Sequence, residues 1–363
     1  INRRDEEKRI IQVMNDQLKN KKILFLCPLF FNYHKKLIRA MESMGAHVDY
    51  FDERPSNTFL SKALLRINRN FVTVQINKHY DEITSKIKDK KYDFVFICQA
   101  EATPKSFLKD VRKLNPNARL VLMLWDSVAN KVNTLEKLDL FDEVFSFDKK
   151  DCDQFGLTFR PLFFDKEYEE LAKEKPELIY DLFFVGTVHS DRYLILNEVR
   201  QQFEKNNLNV FYFLYIPSKI MYYQRKLTTS ELKGSEITDF SFVGMPSEQL
   251  TAKLKQSKAV VDIQHPKQTG LTMRTIEMLG ANKKIITTNT DIQHYDFYHP
   301  NNICIVDRNN VVVPTEFMTT PYVPVEDQVK ERYSINYFVL DVLGLTEKKA
   351  DGFYAEKSGG GKQ

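Results

Sequence analysis

The chain has 363 residues, of which 42% are hydrophobic and 28% are charged, and its formal net charge is +4. This length accommodates two α/β domains, and the composition is that of a globular protein rather than of a disordered chain. The small basic excess excludes the concentrated positive charge of a nucleic-acid-binding protein, so no nucleic acid is expected as a partner. It permits a weak attraction to phosphorylated ligands or to anionic lipid headgroups.

The four cysteines, Cys27, Cys98, Cys152 and Cys304, form neither a C-x-x-C pair nor a metal-ligand pattern. Three of them lie in or beside apolar runs, which predicts buried, reduced thiols in a cytosolic protein. No apolar run approaches the roughly 18–20 residues that span a bilayer. The N-terminus has no signal-peptide core, so a cytoplasmic location is the default expectation.

Short apolar runs alternate with helical segments in the first half of the chain, after a charged amphipathic helix predicted over 3–21. Such strands, separated by helices, are typical of a parallel sheet covered on both faces, that is, of a doubly wound domain. The strands are predicted over 23–27, 48–51, 94–98, 120–125 and 143–147, and the helices over 34–44, 58–68, 75–89 and 104–114.

A second series of the same kind follows a polar segment over 166–180, which is predicted as a linker. We therefore predict an α/β chain with two doubly wound, Rossmann-like domains, over 1–165 and 181–323, that face a central cleft. Closing helices are predicted over 324–345 and a flexible tail over 346–363. The predicted strands of the second domain cover 182–185, 210–215, 259–263, 284–287 and 303–306, and the helices 191–206, 247–256 and 271–281.

Residues 261–289 carry the most informative pattern, a strand, a loop containing Thr269 and Gly270, a helix and another strand. Glycine before a helix lets a phosphate approach the exposed N–H groups and the positive end of the helix dipole. Arg274 and Glu277 lie on one face of this helix, where the carboxylate could accept hydrogen bonds from ribose hydroxyls. The alternative is a solvated Glu277 paired with Arg274.

The run 277–286 (EMLGANKKII), with the strand, loop and helix before it, resembles the donor-site motif of GT-B glycosyltransferases, most of all bacterial lipopolysaccharide and capsule enzymes. The resemblance implies that Glu277 binds the ribose and that Arg274 neutralises a phosphate. It also implies that the loop and helix start line the phosphates and the sugar, through Thr269, Gly270, Leu271 and Thr272. Two positions depart from the family pattern, a missing glutamate at 268–269 and Lys284 in place of a proline.

Two further segments resemble parts of the same donor site. The run 181–192 (DLFFVGTVHSDR) reads as a strand and its turn into a helix, and the resemblance implies that Gly186, Thr187 and Arg192 meet the pyrophosphate. The alternative is an ordinary glycine turn capped by Ser190. The run 242–246 (FVGMP) resembles the base-contacting loop, with Gly244 at its centre, although a proline at a helix start is common in any protein.

Polar residues follow three predicted strands of the first domain and would converge on the acceptor side of the cleft. Asp126 is the first candidate for the base that takes the acceptor proton, followed by Glu101 and His34, and Tyr33 is placed as an acceptor contact. The alternatives are that Asp126 caps a helix through Ser127, that Glu101 is solvated, and that His34 lies on a helix face.

The run 151–153 (DCD) has the D-x-D form of metal-dependent transferases, but it does not end an apolar strand. Acidic residues at a helix N-terminus explain it more simply, so no metal is predicted. No cofactor is predicted either, because a nucleotide diphosphate sugar would be a substrate. The chain has no G-x-G-x-x-G, Walker, G-x-S-x-G or H-E-x-x-H motif, which argues against dehydrogenases, nucleotide hydrolases, serine hydrolases and zinc proteases.

The expected function is a metal-independent, hexosyltransferase-like transfer from a nucleotide sugar to a glycan or glycolipid acceptor in bacterial surface polysaccharide biosynthesis. A non-catalytic nucleotide-sugar-binding protein and a transferase of a non-sugar group, such as glycerol phosphate, remain alternatives. A lipid-linked acceptor would bring the enzyme to the inner membrane face. The N-terminal helix and the basic patch at 66–69 (RINR) could assist there or could be solvated surface.

Overall fold

A computed structural model describes residues 16–30, 32–55, 69–128, 132–266, 268–346 and 352–354. The chain divides into two compact units, which we call the N-terminal unit (Ile1–Pro161 with Ile335–Asp351) and the C-terminal unit (Leu162–Ser334 with Gly352–Gln363). The helix predicted over 58–68, most of the helix predicted over 3–21, the basic patch at 66–69 except Arg69, and most of the tail lie outside the described residues.

Each unit is built on a six-stranded parallel sheet. The strand order is β2-β1-β3-β4-β5-β6 in the N-terminal unit and β12-β11-β10-β7-β8-β9 in the C-terminal unit. The strands are β1 Lys22–Leu26, β2 His47–Phe51, β3 Phe94–Cys98, β4 Arg119–Leu124, β5 Glu143–Ser146, β6 Thr158–Phe159, β7 Tyr180–Thr187, β8 Val210–Tyr215, β9 Phe240–Ser241, β10 Ser257–Asp262, β11 Lys284–Thr287 and β12 Ile303–Ile305.

The connections between strands are mainly helical, as parallel pairing requires. The α-helices are α1 Tyr33–Ser43, α2 Arg69–Ile87, α3 Lys105–Leu114, α4 Val132–Leu135, α5 Lys149–Phe155, α6 Lys166–Lys173, α7 Arg192–Lys205, α8 Lys219–Thr228, α9 Ser247–Lys255, α10 Met273–Gly280, α11 Thr315–Thr319, α12 Asp327–Glu331 and α13 Ile335–Val342. Short 3₁₀ helices cover Leu138–Leu140, Ile237–Asp239 and Thr290–His294. No helix within the described ranges is long and apolar enough to cross a membrane.

Helices cover both faces of the C-terminal sheet. On one face, helices α7 and α8 bury side chains such as Tyr193 and Tyr222 against Leu182 and Phe184. On the other, Phe183 of β7 meets residues of α6, α9 and α10. Burial on both faces explains why these strands read as continuous apolar runs. The four cysteines are buried free thiols, as the sequence predicted.

The segment predicted as a linker over 166–180 instead begins with a helix, α6. Asp165 caps this helix by accepting a hydrogen bond from the Glu167 N–H, and Leu171 is buried in the C-terminal core with Met278. The sequence pattern did not indicate this helix, because its charged side chains outnumber the residues that pack against the core, Leu171 and Tyr168.

The closing segment predicted over 324–345 is divided between the two units, since helix α13 belongs to the N-terminal unit. A buried ion pair ties it there, with 2.9 Å between Arg160 Nε and Asp341 Oδ2. The Arg160 guanidinium also lies 5.1 Å from the centre of the Phe338 ring. Breaking such a pair from one side leaves a buried charge uncompensated, so it defines where α13 packs.

Helix α10 packs closely against the start of the C-terminal unit at its last residue, Gly280. A Cβ atom at this position would lie 2.6 Å from Phe164 Cγ and 2.9 Å from Phe164 Cβ. Real side chains do not approach this closely, so glycine allows the helix and the chain at Phe164 to meet.

We expect Gly280→Ala to lower the free energy of unfolding by about 1–3 kcal/mol, because the added methyl overpacks a contact whose near atoms cannot rotate away. Urea-induced unfolding would measure the change. Gly244→Ala is the matched control, since no atom lies within 4 Å of a Cβ built there. Equal destabilisation by the two substitutions would contradict the packing argument.

Candidate functional site

The strand order of the C-terminal sheet creates a topological switch point between β7 and β10. These strands are neighbours in the sheet, yet the chain runs from β7 to β8 on one side and from β10 to β11 on the other. Ligands of open α/β sheets bind in the crevice outside the carboxyl ends of such a strand pair. The segments after β7 and β10 are therefore where a site is expected in this unit.

Arg192, the first residue of α7, bridges the ends of β7 and β10. Its Nη1 donates a hydrogen bond of 2.7 Å to the Thr187 carbonyl, and its Nε donates one of 3.0 Å to the Ile263 carbonyl. Burial, together with the positive charges of Arg274 and Arg308, lowers the pKa of Arg192 to about 10. The predicted residues Thr187 and Arg192 thus lie together, at an edge that already carries several positive charges.

Arg274 reaches the same edge from helix α10. The Arg274 guanidinium lies 5.1 Å from the centre of the Phe184 ring and donates a hydrogen bond to the Val185 carbonyl. The Arg192 guanidinium lies 5.7 Å from the centre of the same ring. A Cβ on Gly186 would lie 3.4 Å from Arg274 Nη2 and 3.1 Å from Phe184 Cζ. Glycine at 186 therefore leaves room for the guanidinium beside it.

Arg308 is a third guanidinium at this edge, and no sequence motif pointed to it. It follows strand β12 and donates hydrogen bonds of 2.8 and 2.9 Å to the two carboxylate oxygens of Asp191, and one of 2.6 Å to the Gln264 carbonyl. The only signal available was its place after the last strand of the parallel sheet, where loop residues return to the same edge.

Two histidines adjoin the three arginines. The rings of His189 and His265 have their centres 5.7 Å apart. Burial, together with the charges of Arg192, His265 and Arg225, lowers the pKa of His189 to about 4. His189 is therefore neutral near pH 7, and its ring nitrogens offer one donor and one acceptor.

Helix α10 begins at Met273 with Thr272 as its N-cap. The Thr272 hydroxyl accepts a hydrogen bond from the Thr275 N–H at 3.3 Å and donates one to Asp262 Oδ2 at 2.5 Å. The Thr275 hydroxyl donates to the same carboxylate oxygen, also at 2.5 Å. The Thr272 side chain thus fastens the helix to the end of β10, a use that the resemblance did not include.

The loop before α10 is held by amide side chains. Asn289 Nδ2 donates to the Thr269 carbonyl at 2.9 Å, and Gln268 Nε2 donates to the Gly270 carbonyl at 3.0 Å. Leu271 is buried, so it could offer a ligand only its backbone. Gly244 lies apart from these contacts in an exposed loop before α9.

Glu277 is buried on α10, with only 9% of its surface exposed, which rules out the solvated carboxylate. The Tyr168 hydroxyl of α6 donates a hydrogen bond to it, and burial together with the Glu277 charge raises the pKa of Tyr168. A tyrosine from the segment predicted as a linker thus orients the carboxylate. Tyr168 was missed because its role depends on α6 packing beside α10.

In the N-terminal unit, Gln99 connects the ends of β3 and β4. Gln99 and Ala100 both have left-handed backbone conformations, with φ of 74° and 51°. With its amide oriented to satisfy both groups, the Gln99 side-chain oxygen accepts hydrogen bonds from the Trp125 N–H at 3.0 Å and the Asp126 N–H at 2.9 Å. Strained backbone of this kind persists where the surroundings hold it in place. Here the two hydrogen bonds to the Gln99 side chain fix the backbone of Asp126.

Tyr33 lies beside this segment, since its ring meets the Trp125 ring edge-on with centres 6.3 Å apart. The structure therefore brings Tyr33 close to the residue that precedes Asp126. His34 points elsewhere, into a buried stack with the Tyr50 ring at 5.3 Å. Burial lowers the pKa of His34, as does the charge of Lys35, which fits the alternative of a histidine on an inner helix face.

Glu101 is ion-paired rather than solvated. Its Oε2 lies 3.0 Å from Arg54 Nη2. The backbone around it is held by Lys137, whose ammonium donates hydrogen bonds of 2.7 Å to the Ala100 carbonyl and 3.3 Å to the Glu101 carbonyl. The strained turn after β3 is thus fixed by a buried cation.

A buried carboxyl that the sequence analysis did not single out, Glu53, supports the same turn. Its Oε1 accepts hydrogen bonds from the Ala102 N–H at 2.5 Å, the Thr103 N–H at 3.0 Å and the Thr103 hydroxyl at 3.1 Å. The side chain is fully buried, and burial raises its pKa to about 7. Glu53 acts on the turn that carries Glu101, which makes it a positioning residue.

The D-x-D segment lies in helix α5, as the sequence predicted. Asp148 caps this helix, and Asp151 accepts a hydrogen bond of 2.7 Å from the Val128 N–H and another from the Ser127 hydroxyl. These contacts give Asp151 a structural role. Among the described residues, no group of three His, Cys, Asp or Glu side chains is placed to hold a metal ion.

Comparison with solved structures identifies the architecture. A glycosyltransferase from Rickettsia africae superposes with a TM-score of 0.54 at 12% identity, over 90% of this chain and 97% of that one. The N-terminal domain of a trehalose-6-phosphate phosphatase from Candida albicans superposes with a TM-score of 0.52, also at 12% identity and over 90% and 97% of the two chains. The chain has a GT-B fold. The two Rossmann-like domains predicted from the sequence are confirmed.

No protein-family model matches the chain, and comparison with curated protein sequences gives no significant match. The two structural relatives also bear the names of different activities, so the GT-B fold by itself does not determine the reaction. An activity therefore has to be inferred from the groups at the ends of β7 and β10.

The raised pKa of Glu53 predicts a pH-dependent stability. Folded Glu53 keeps its proton up to about pH 7, whereas in the unfolded chain a glutamate loses it near pH 4.3. Protonation of Glu53 therefore contributes its full stabilisation below the unfolded-state pKa of about 4.3. This contribution is lost as the pH rises through the folded-state pKa of about 7. Relative to Glu53→Gln, the wild type should lose about 3 kcal/mol of unfolding free energy between about pH 4 and pH 8.

Urea unfolding of both proteins across this pH range would measure the difference. Glu82→Gln, at an exposed position of α2, controls for the loss of a carboxyl elsewhere in the unit. A difference between wild type and Glu53→Gln that stays constant with pH would show that Glu53 is ionised in the folded protein, against the expectation.

Proposed function

We propose that this GT-B chain is a glycosyltransferase whose C-terminal unit binds a nucleotide diphosphate sugar. The observation that carries the proposal is the convergence of Arg192, Arg274 and Arg308 on the switch point of the sheet, beside a helix that bears the buried Glu277. This arrangement matches the two ends of a nucleoside diphosphate, one anionic and one rich in hydroxyl groups.

The arginines supply the charge for the diphosphate. Arg308 is paired with Asp191, but neither Arg192 nor Arg274 has a carboxylate within 4 Å among the described residues. Asp262 and Asp191 raise the pKa of Arg192 without an ion pair to it, so an anion bound here would balance guanidinium charge that no ion pair neutralises. As the sugar leaves, negative charge grows on the diphosphate, and preorganised cations stabilise that charge in the transition state.

Glu277 is assigned to the ribose. A carboxylate can accept a hydrogen bond from each of two vicinal hydroxyls, and the Tyr168 hydroxyl keeps it oriented before the ligand arrives. The N–H groups at the start of α10 and the backbone of Thr269, Gly270, Leu271 and Thr272 are assigned to the phosphates and the sugar, in keeping with ligand binding at helix N-termini. Gly186 and Thr187 line the same edge, and Gly244 is assigned to the base.

The N-terminal unit is assigned to the acceptor, a glycan or a lipid-linked glycan. Asp126 is the proposed base that takes the proton of the acceptor hydroxyl, because Gln99 fixes its backbone. Tyr33 is the proposed acceptor contact. Glu101 and His34 are weaker candidates for the base, since Glu101 is paired with Arg54 and His34 is buried.

The finer features of the proposal come from the resemblance of the donor-site run 277–286. They are a hexosyltransferase-like, metal-independent reaction in bacterial surface polysaccharide biosynthesis and a cytoplasmic enzyme at the inner membrane face. The uncompensated guanidinium charges support independence from a metal, because they can take over neutralisation of the diphosphate.

Glu277→Ala should weaken binding of the cognate nucleotide diphosphate by about 10- to 100-fold, since charge-assisted hydrogen bonds to the ribose are lost. Isothermal titration with UDP-, GDP-, dTDP- and CMP-linked sugars, and with CDP-glycerol, would first identify the ligand. Glu204→Ala, at an exposed glutamate of α7, is the control and should bind as the wild type does.

The outcomes of this panel separate the candidate functions. Release of free sugar or transfer to an added acceptor supports a glycosyltransferase, whereas binding without turnover favours a non-catalytic nucleotide-sugar-binding protein. Selective binding of CDP-glycerol favours transfer of glycerol phosphate. If no nucleotide binds, or if Glu277→Ala binds as tightly as the wild type, the assignment of the donor site is wrong.

A further inference from the structure

Helix α8 of the C-terminal unit carries an apolar stripe that is exposed to solvent. Ile220, Tyr223 and Leu227 are 80%, 53% and 85% exposed. They are spaced i, i+3 and i+7, which puts them on one face of the helix. Single exposed apolar residues need no explanation, but three on one face of a ten-residue helix form a continuous surface.

The rest of α8 is firmly packed, so the stripe is a fixed feature of the fold. Tyr222 is buried against the Phe240 ring, with centres 5.3 Å apart. Arg225 donates a hydrogen bond of 2.7 Å to the Val188 carbonyl, and Ser218 caps the helix through the Met221 N–H. Because this inner face holds the helix, the stripe on the opposite face cannot turn inward.

Positive charge borders the stripe. Lys219 and Lys226 are seven residues apart, which places them on the same flank of it. The Lys226 ammonium donates hydrogen bonds to the Tyr222 hydroxyl at 3.1 Å and to the Ser235 carbonyl, so its charge is held at this flank. An open depression of ≈ 540 Å³ adjoins its C-terminal end and is lined by Lys226, Leu227 and Lys233 among others.

The acidic residues nearby do not cancel this charge. Glu231 is neutralised by Arg225, whose Nε and Nη2 lie 2.9 and 2.6 Å from its Oε2. Between 219 and 236 the chain has four basic residues and two acidic ones. The border of the stripe therefore stays cationic.

We propose that the stripe and its lysines, which we call the α8 surface, dock onto an anionic lipid bilayer. Helices with an apolar face bordered by lysine lie in the plane of the interface, with the apolar side chains inserted and the ammonium groups at the phosphates. Tyr223 suits this position because its ring is apolar and its hydroxyl is polar. This inference does not depend on the proposed transfer reaction, and it names a surface for the membrane contact.

A second copy of the chain fits this surface less well. A ten-residue helix is about 15 Å long, so its exposed face covers only a few hundred Å² at most, whereas a stable interface takes about 800 Å² from each partner. Insertion into a bilayer requires no complementary partner surface. The flanking lysines would also repel those of a second copy placed face to face on the same stripe.

The test is partitioning of the full-length protein onto phosphatidylcholine vesicles with and without phosphatidylglycerol, measured by flotation at low and high salt. We expect binding only to the vesicles with phosphatidylglycerol, with weakening at high salt. The double variant Ile220→Ser/Leu227→Ser should bind at least about tenfold more weakly, because two inserted apolar side chains are lost. Lys219→Gln/Lys233→Gln should bind several-fold more weakly and show a smaller salt dependence.

Val74→Ser is the matched control, because Val74 is an apolar residue that is 73% exposed on α2 of the other unit. It should partition as the wild type does, and all variants should keep the wild-type circular dichroism and nucleotide binding. The proposal is overturned if the wild type ignores the anionic vesicles or if the stripe variant binds them as well as the wild type. It is also overturned if the stripe variant instead abolishes a concentration-dependent dimer seen by sedimentation velocity. Nucleotide titration is read separately, so either proposal can fail alone.

Discussion

The C-terminal site depends on the half-buried guanidinium of Arg192. Strands β7 and β10 are hydrogen-bonded neighbours, but the chain leaves them in opposite directions, and Arg192 donates to a carbonyl after each of them. Burial and two nearby arginines lower its pKa to about 10, which measures how unfavourable the charge is in the free protein. Because an anion would relieve that repulsion, the contact that joins the two strand ends also prepares the edge for a diphosphate.

Helix α10, which carries Arg274 to this edge, is fixed to the rest of the unit at both ends. At its start, the Thr272 and Thr275 hydroxyls both donate to Asp262 at the end of β10. At its end, Gly280 lies against Phe164 without room for a methyl group. A helix held in this way has one rotation about its axis, and that rotation sets Glu277 against Tyr168. The position of the carboxylate therefore follows from packing rather than from contact with a ligand.

Much of the fold could be predicted from the sequence, since strands buried on both faces are continuous apolar runs and their bounds agree within about two residues. The strand-loop-helix order likewise predicted where α10 lies. Tertiary contacts decided the rest. Arg308 meets Asp191 across 117 residues of chain, which no local pattern reveals. Helix α6 lies within the segment predicted as a linker, because only Leu171 and Tyr168 anchor it among charged neighbours, and α8 was overlooked because its outward face is apolar.

The neutral histidine beside the arginines has a consequence for how the site accepts an anion. The pKa of His189 is lowered by burial and by the charges of Arg192, His265 and Arg225, and an anion would offset the part that comes from the two arginines. An anion bound at this edge would therefore raise the pKa of His189 toward its ordinary value. His189 would then take up a proton with the ligand over a range of pH below neutrality. The site would thus gain positive charge when a phosphate is present and give it up when the phosphate leaves, which limits the repulsion that the empty site has to withstand.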